Sequence, residues 1–351
     1  MIDAYKAWLA ESIDTHRTIY SEIGRAKHVG DIAIEKDYWV TLVLRAIFSQ
    51  PYGSRMVFKG GTSLSKGWNV IQRFSEDIDL AIDREFLGFS DELNKSQRTK
   101  LRKLSKKFIE DTLAVDLRNT LREYGFGDLC EVIVPEVHES DRDPVELFVK
   151  FKTEIESRSE YDYMPSQVKV EISCRSMFEP YECLKMRSMV AEAYPDEAFA
   201  DEAFPVNTVL AGRTFLEKAF LLHEEFVRSG GCSRCYRLTR HIYDLEKMMD
   251  RDFAVKAMND ETLYNDIVRH RKAFTAWSGL DYNTHSPQTI TLVPPEKIHK
   301  ELEDDYANMQ SGFIYGDSLP FAQLIARIAQ LQERFRSLPF SVTIPITNPE
   351  S

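Results

Sequence analysis

FKGGTSLSKGWNVIQRFSEDIDL, residues Phe58 to Leu80, places a glycine pair ahead of two aspartates spaced Asp-Ile-Asp. Gly60 and Gly61 remove side chains where a backbone must come close to a ligand or adopt a positive φ. Hydroxyls follow at once on Thr62, Ser63 and Ser65. Fifteen residues separate Gly61 from Asp77, and Asp79 comes two further on. In an extended strand residues i and i+2 point the same way, so the two carboxylates share one face. Mg²⁺ is a hard ion usually bound by one or two carboxylates together with substrate phosphates, which suits a phosphate-binding turn upstream of an Asp-x-Asp strand. The implied chemistry is nucleotidyl transfer.

Working outward, Met56-Val57-Phe58 reads as a short strand entering the glycine turn, and a helix is expected to start between Ser63 and Val70. Its N-terminal amides would lie beside the glycines, the geometry in which a helix end binds phosphate. Helices are predicted near 3–29 and 35–49, the second burying Trp39, Val40, Val43, Leu44 and Ile47. Asp77 to Ile82 reads as the next strand, followed by a helical insertion near 84–130. Alternation returns over Glu146 to Lys152 and over Gln167 to Ser173, where Val168, Val170 and Ile172 face one way and Lys169, Glu171 and Ser173 the other. The Ala-, Glu- and Pro-rich stretch Ala191 to Val206 marks a boundary between halves. From Thr214 the pattern is helical, with Thr214 and Glu217 spaced as a capping box and Gly230-Gly231 as a stop. A stripe of Phe321, Leu324, Ile328, Leu331 and Phe335 places a further helix over Pro320 to Phe335. The class is α+β, with domains at 1–205 and 206–351, the second mainly helical.

At 351 residues the chain exceeds what a single core usually supports, which agrees with two domains. With 43% hydrophobic and 29% charged residues it is a globular chain rather than a disordered one. The N-terminus MIDAYKAWLAESID carries acids where a targeting segment would be basic, and no apolar run approaches the ~20 residues of a bilayer span, so a cytoplasmic protein without membrane partners is expected. Five cysteines are present, and Cys232-Ser-Arg-Cys235 has no second pair to complete a zinc site, so it reads as turn cysteines. A net charge of −11 argues against coating nucleic acid by overall charge. One local exception is KSQRTKLRKLSKK, in which Lys95, Arg98, Lys100, Arg102, Lys103, Lys106 and Lys107 appear without an acid. Leu101, Leu104 and Phe108 at helical spacing would anchor it, leaving a cationic stripe able to grip an RNA backbone. A solvated helix face balanced by nearby acids is the plainer alternative.

A hydrophobic residue, a glycine pair, then Asp-hydrophobic-Asp on the next strand resembles the signature of the polymerase-beta-like nucleotidyltransferases, the interval here being slightly long for it. With Arg73-Phe74-Ser75 ahead of Glu76-Asp77-Ile78-Asp79-Leu80, the string is similar to the AbiEii/AbiGii branch, the toxins of bacterial abortive-infection toxin-antitoxin pairs. Four other segments agree in order: Glu35-Lys36-Asp37-Tyr38, Thr214-Phe215-Leu216-Glu217-Lys218, Arg240-His241-Ile242-Tyr243-Asp244-Leu245 and Phe313-Ile314-Tyr315-Gly316. The resemblance implies a small mixed-sheet nucleotidyltransferase domain followed by a helical domain that completes the cleft. It also implies transfer of NMP from an NTP, with two Mg²⁺ ions, to the 3′ end of tRNA, which would block translation. A cognate antitoxin is expected, without need of contact.

Several roles then attach to residues. Asp77 and Asp79 are candidate ligands of the Mg²⁺ ions, against the alternative of turn-capping acids. Glu171 is the candidate third carboxylate, against an ion pair with a lysine such as Lys150. The resemblance carries Lys218 to the β and γ phosphates and Asp244 to the role of general base. Their alternatives are a lysine lying along apolar surface and an exposed Arg240–Asp244 helical pair. Gly60, Gly61, Thr62, Ser63, Ser65, Lys59 and Arg73 are candidates for the triphosphate, Ser63 first. His241 reads as packed or hydrogen-bonded rather than catalytic. Two rivals stay open: a transferase or kinase that modifies protein, and a nucleotide-binding regulatory module without turnover.

Overall fold

Alternating burial along three short segments builds the centre of the structure. Ile78 and Leu80, Leu147 and Val149, and Val168, Val170 and Ile172 are all fully buried, while the residues between them stay partly exposed. The computed structural model describes residues 2–90, 93–136, 139, 141–155, 165–228 and 237–344. Among these, strands β1 (Met56–Lys59), β2 (Ile78–Ile82), β3 (Cys130–Ile133), β4 (Val145–Phe151), β5 (Gln167–Ser173), β6 (Tyr181–Met186) and β7 (Phe204–Val209) form one sheet in the order β3-β4-β5-β2-β1-β7-β6. The β2–β5 and β1–β7 pairs are parallel and the others antiparallel, so the sheet is mixed. Each fully buried aliphatic side chain on it contributes roughly 1.5–3 kcal/mol.

The chain divides into two compact units, one of residues 1–69 and 73–209, the other of 70–72 and 210–351. The first contains the whole sheet. Its N-terminal segment, expected as one helix over 3–29, is two helices, Ile2–Ala10 and Ile13–Lys27, because Ser12 turns extended and caps the second by accepting from Thr15 N at 3.1 Å. The following helix, Asp31–Phe48, is buried from Ala33 to Ile47, well beyond the single face read from its apolar spacing. The helical insertion is Lys95–Phe108 and Ala114–Glu123, joined by a π-turn at Ile109–Leu113. Three strands escaped the sequence pattern. β6 is an edge strand with little apolar alternation, β7 begins Phe-Pro inside the stretch read as a boundary, and β3 is four residues long.

In the second unit the helix Ala211–Val227 is buried almost throughout and packs on Thr239–Met248 and Asp252–Asn259. Gly212 permits one close approach, since a Cβ there would stand 3.0 Å from both Ala257 Cβ and Phe253 O. The helix starts before Thr214, so the expected capping box does not form; Glu217 bonds Arg213 Nε at 3.0 Å instead. Gly230-Gly231 and the pair Cys232 and Cys235 lie outside the described residues. Helices Glu261–Phe274, His299–Gly312 and Phe321–Arg336 complete this unit, the last burying Leu324, Ile328, Leu331 and Phe335. Of the C-terminal segment, Val342 and Ile344 are buried.

Candidate active site

Strand β1 ends at Lys59, directly opposite Asp79 on β2, and the chain turns at Gly60 with φ +78°. A side chain at Gly60 would be strained by that φ and would also run into the Asp79 carboxylate. Gly61 is needed for a second reason: a Cβ there would stand 2.7 Å from Arg73 Nη2 and 2.8 Å from Ser75 Oγ. The helical turn begins at Gly60 itself, earlier than expected, and runs as Gly60–Thr62 and the π-turn Ser63–Gly67. Thr62 Oγ1 donates to the Asp77 carbonyl at 2.5 Å and lies 2.9 Å from Ser75 Oγ, tying the turn to the acidic segment. Ser63 is fully buried and donates to Gly60 O at 2.8 Å, while Ser65 reaches Gly61 O at 3.4 Å and Thr62 O at 3.3 Å. These two hydroxyls shape the turn. Arg73 is also buried, its Nη1 3.4 Å from Phe74 O.

The acids form a row. Asp79 is in register with Glu171 on β5, and Glu171 with Glu146 on β4, so three carboxylates sit at one level across adjacent strands. Asp77 immediately precedes β2, and it and Asp79 alternate with buried Ile78 and Leu80, as expected of two acids on one face. Lys169 is on the same face of β5 as Glu171; it bonds Glu171 and also Glu146, the latter at 3.0 Å. The lysine partner expected at Lys150 is therefore Lys169, because Lys150 pairs in register with Gln167 and Glu131. Burial opposes the Lys169 charge, but the bonds from Glu171 and Glu146 overcome it and push its pKa up to about 12. Asp77 moves upward from the usual carboxylate range, first through burial and then through Glu76, with Lys169 and Lys36 offsetting part.

The donor set fits a hard divalent cation. It offers carboxylate oxygens, and the surroundings of Asp77 disfavour its charge, a cost that a divalent cation would offset. Among the described residues no three His, Cys, Asp or Glu side chains gather tightly enough to hold an ion by themselves. Two carboxylates completed by substrate phosphates is the mode that Mg²⁺ ordinarily takes.

In the second unit, Lys218 and Asp244 meet. Lys218 Nζ lies 2.9 Å from Asp244 Oδ2 and 3.3 Å from His241 Nδ1. The lysine is 6% exposed and the aspartate 0%, so Asp244 is not the exposed partner of Arg240 that its helical spacing suggested. Arg240 stacks over Phe313 at 5.4 Å. Tyr315 N bonds Gln72 O at 3.1 Å, and Gly316 packs so closely on Gln72 that a side chain there would clash. The last three segments of the resemblance thus all make specific contacts within this unit.

The sequence model of the AbiEii family, described as nucleotidyl transferase AbiEii toxin, type IV TA system, matches residues 42–333. This chain belongs to the AbiEii family. It is a nucleotidyltransferase toxin of a type IV toxin-antitoxin system, which implies an NTP substrate and a cognate antitoxin. Among solved structures it is similar to MenT4, a nucleotidyltransferase toxin from Mycobacterium tuberculosis H37Rv, with a TM-score of 0.53 and 16% identity over 93% of this chain and 94% of that one. That likeness extends the shared fold over nearly the whole chain. A comparison with curated proteins returned no match.

Within this AbiEii chain the cationic segment is the helix Lys95–Phe108, capped by a box between Asn94 and Gln97. Its cations divide. Arg102 pairs with Asp141 at 2.7 Å, Lys106 with Glu110 at 3.6 Å, and Arg98 Nε bonds Leu93 O at 3.0 Å. Lys95, Lys100, Lys103 and Lys107 are exposed. Leu101 is buried as the expected anchor, whereas Leu104, also expected as one, is 39% exposed among them, and Ser105 faces inward beside Leu101. Among the described residues no helix is long and apolar enough to cross a membrane. Two contributors to the acidic row were missed in the sequence, Lys169 and Glu146. Both lay in alternating strands already recognised; Lys169 stands beside Glu171 as its same-face neighbour two residues away, and register brings Glu146 to the same place.

Proposed function

We propose that this toxin is a Mg²⁺-dependent enzyme that transfers NMP from an NTP to an RNA acceptor, the 3′ end of tRNA being the acceptor the family resemblance implies, and so arrests translation in the cytoplasm. The observation that carries the reading is the registered row Asp79, Glu171 and Glu146 beside Asp77, closed on one side by a turn that only glycine can make. Asp77 and Asp79 would hold the metal, with Glu171 joining them once Lys169 releases it. Two bound ions would activate the attacking hydroxyl and stabilise the leaving pyrophosphate of an in-line displacement.

The remaining work falls to the chain itself. Gly60 and Gly61 let the backbone lie against the triphosphate, with Thr62 holding the turn to Asp77. Lys218 supplies positive charge to the β and γ phosphates. Asp244 orients that lysine through their buried pair and takes the proton of the acceptor hydroxyl as general base. The exposed Lys95, Lys100, Lys103 and Lys107 follow the RNA backbone.

The test is incubation of the purified toxin with each labelled NTP, Mg²⁺, and a mixture of tRNA and protein. Label on the tRNA 3′ end with pyrophosphate release is expected, and Asp77→Ala or Asp79→Ala should abolish it while folding is intact. Label on protein instead would replace the acceptor, and no pyrophosphate with any NTP would overturn the reading.

A further inference from the structure

Glu35, Lys36 and Asp37 are consecutive on the helix Asp31–Phe48, and all are buried, with 1%, 2% and 5% exposure. Successive helical residues point about 100° apart, so the three side chains leave the helix toward different segments. Glu35 accepts from Thr153 Oγ1 at 2.6 Å and from Glu154 N at 2.7 Å. Lys36 Nζ bonds the Glu76 carboxylate and, at 3.1 Å, Pro165 O. Asp37 receives Lys66 Nζ on one oxygen at 2.6 Å and Met189 N on the other at 2.7 Å.

Two of those partners lie inside the Gly60–Asp79 segment, one following the glycines and one preceding the aspartates. Lys66 lies in the π-turn that completes the glycine turn, and Glu76 immediately precedes Asp77. We propose that Lys36 and Asp37 are positioning residues which hold the two ends of the Gly60–Asp79 segment in register from one rigid helix. The inference rests on the reading of that segment as the nucleotide and metal site.

Burying charge is expensive unless each group is paired, and an apolar contact of the same volume would serve packing at least as well. What an ion pair adds is direction. A charged pair is satisfied at one separation, whereas two apolar surfaces can slide. Both pairs are nearly closed to water, with side-chain exposures of 3% and 15% for Lys36 and Glu76, and 8% and 6% for Lys66 and Asp37. Salt therefore screens them little. The helix itself is held all round by its buried residues, so it is the fixed element and the turn and the acidic segment are what it places.

The experiment compares wild type with Lys66→Met, Lys36→Met and the near-isosteric Asp37→Asn, reading amide hydrogen exchange without nucleotide and binding of a non-hydrolysable NTP analogue with Mg²⁺. Exchange over residues 60–67 in Lys66→Met and Asp37→Asn should rise about tenfold while the helix Ala211–Val227 stays at the wild-type rate. In Lys36→Met the rise should fall on the segment before Asp77. With tRNA and NTP, kcat/KM should fall by up to about a hundredfold, the scale of an ångström-sized misplacement, with analogue affinity falling in parallel. Exchange within twofold of wild type in all three variants overturns the inference, as does cooperative loss of structure in all three. Failure of the wild type to bind any NTP would sink the functional reading alone, because the exchange result is read without nucleotide.

Discussion

In the first unit Asp77 sits among Glu76, Glu171, Lys169 and Lys36, and its pKa moves up; in the second Glu224 sits against Arg271 and His285, and its pKa is lowered to about 2. Burial raises both. Around Glu224 the bonds from Arg271 Nε at 2.6 Å, from Arg271 Nη2, and from His285 Nε2 at 3.1 Å overcome it, and the carboxylate is 2% exposed. Around Asp77 the next largest influence is another acid. One cluster is closed and charge-balanced, as a structural network must be. The other keeps an acidic excess on a partly exposed sheet face, a state that favours binding of a cation.

The contrast can be broken from either side. The largest effect is expected at Asp77→Ala or Asp79→Ala, with turnover falling on the order of a thousandfold or more, the several kcal/mol that metal-assisted charge stabilisation supplies. In Asp77→Ala the melting temperature should hold or rise, because an acid disfavoured by its surroundings has been removed; labelled-NTP assays and thermal scans on the same preparations check both halves. Glu224→Gln should do the reverse for stability. Removing one member of a buried charge pair costs about 3–5 kcal/mol, and urea unfolding should show it.

Acid sharpens the same difference. His223 is pushed down to about 3 by burial and then by His285, and its Nδ1 accepts from Thr291 N at 3.0 Å, which requires the neutral ring. Because its folded pKa lies below the unfolded one, the stability it confers is present above about pH 6.5 and is lost as pH falls from there toward 3. Glu224, also depressed, acts in the same direction, its contribution fading from about pH 4.5 toward 2. Unfolding free energy should therefore drop by about 1.4 kcal/mol per pH unit per proton through this window. His223→Gln should flatten the upper part, between about pH 6 and 4; an unchanged slope would remove His223 from the explanation. Smaller effects belong to the rim of the first cluster. Lys169→Met should lower the melting temperature without divalent ions by a few degrees, roughly 1 kcal/mol for a part-exposed pair, and enlarge the rise on adding Mn²⁺. Each of Lys103→Gln and Lys107→Gln should reduce the salt slope of RNA binding by about one phosphate contact.

Legibility in the sequence followed the range of the interaction. Val168, Val170 and Ile172 declared β5 because alternation is local, and the strand appears with the bounds expected of it, Gln167–Ser173. The glycine turn was legible because φ +78° and the close approach of Asp79 leave room for no other residue at Gly60. β6 and β7 were not, since an edge strand needs no apolar alternation and a Phe-Pro start looks like a linker. The capping box at Thr214 and Glu217 failed because the helix gains enough buried surface to begin three residues earlier, at Ala211.

By itself the order of residues determined the two ends of the candidate site: a turn that must be glycine, followed by acids that must share a face, both imposed by backbone sterics over a few residues. Only the tertiary structure decided which groups surround them. Parallel pairing of β2 with β5 put Glu171 beside Asp79, antiparallel pairing of β4 put Glu146 beside Glu171, and a lysine two positions away on β5 took both. It likewise turned Asp244 from an apparent surface residue into the buried partner of Lys218. Charge acts through space, so its partners are set by strand register and helix packing, which no stretch of neighbouring residues contains.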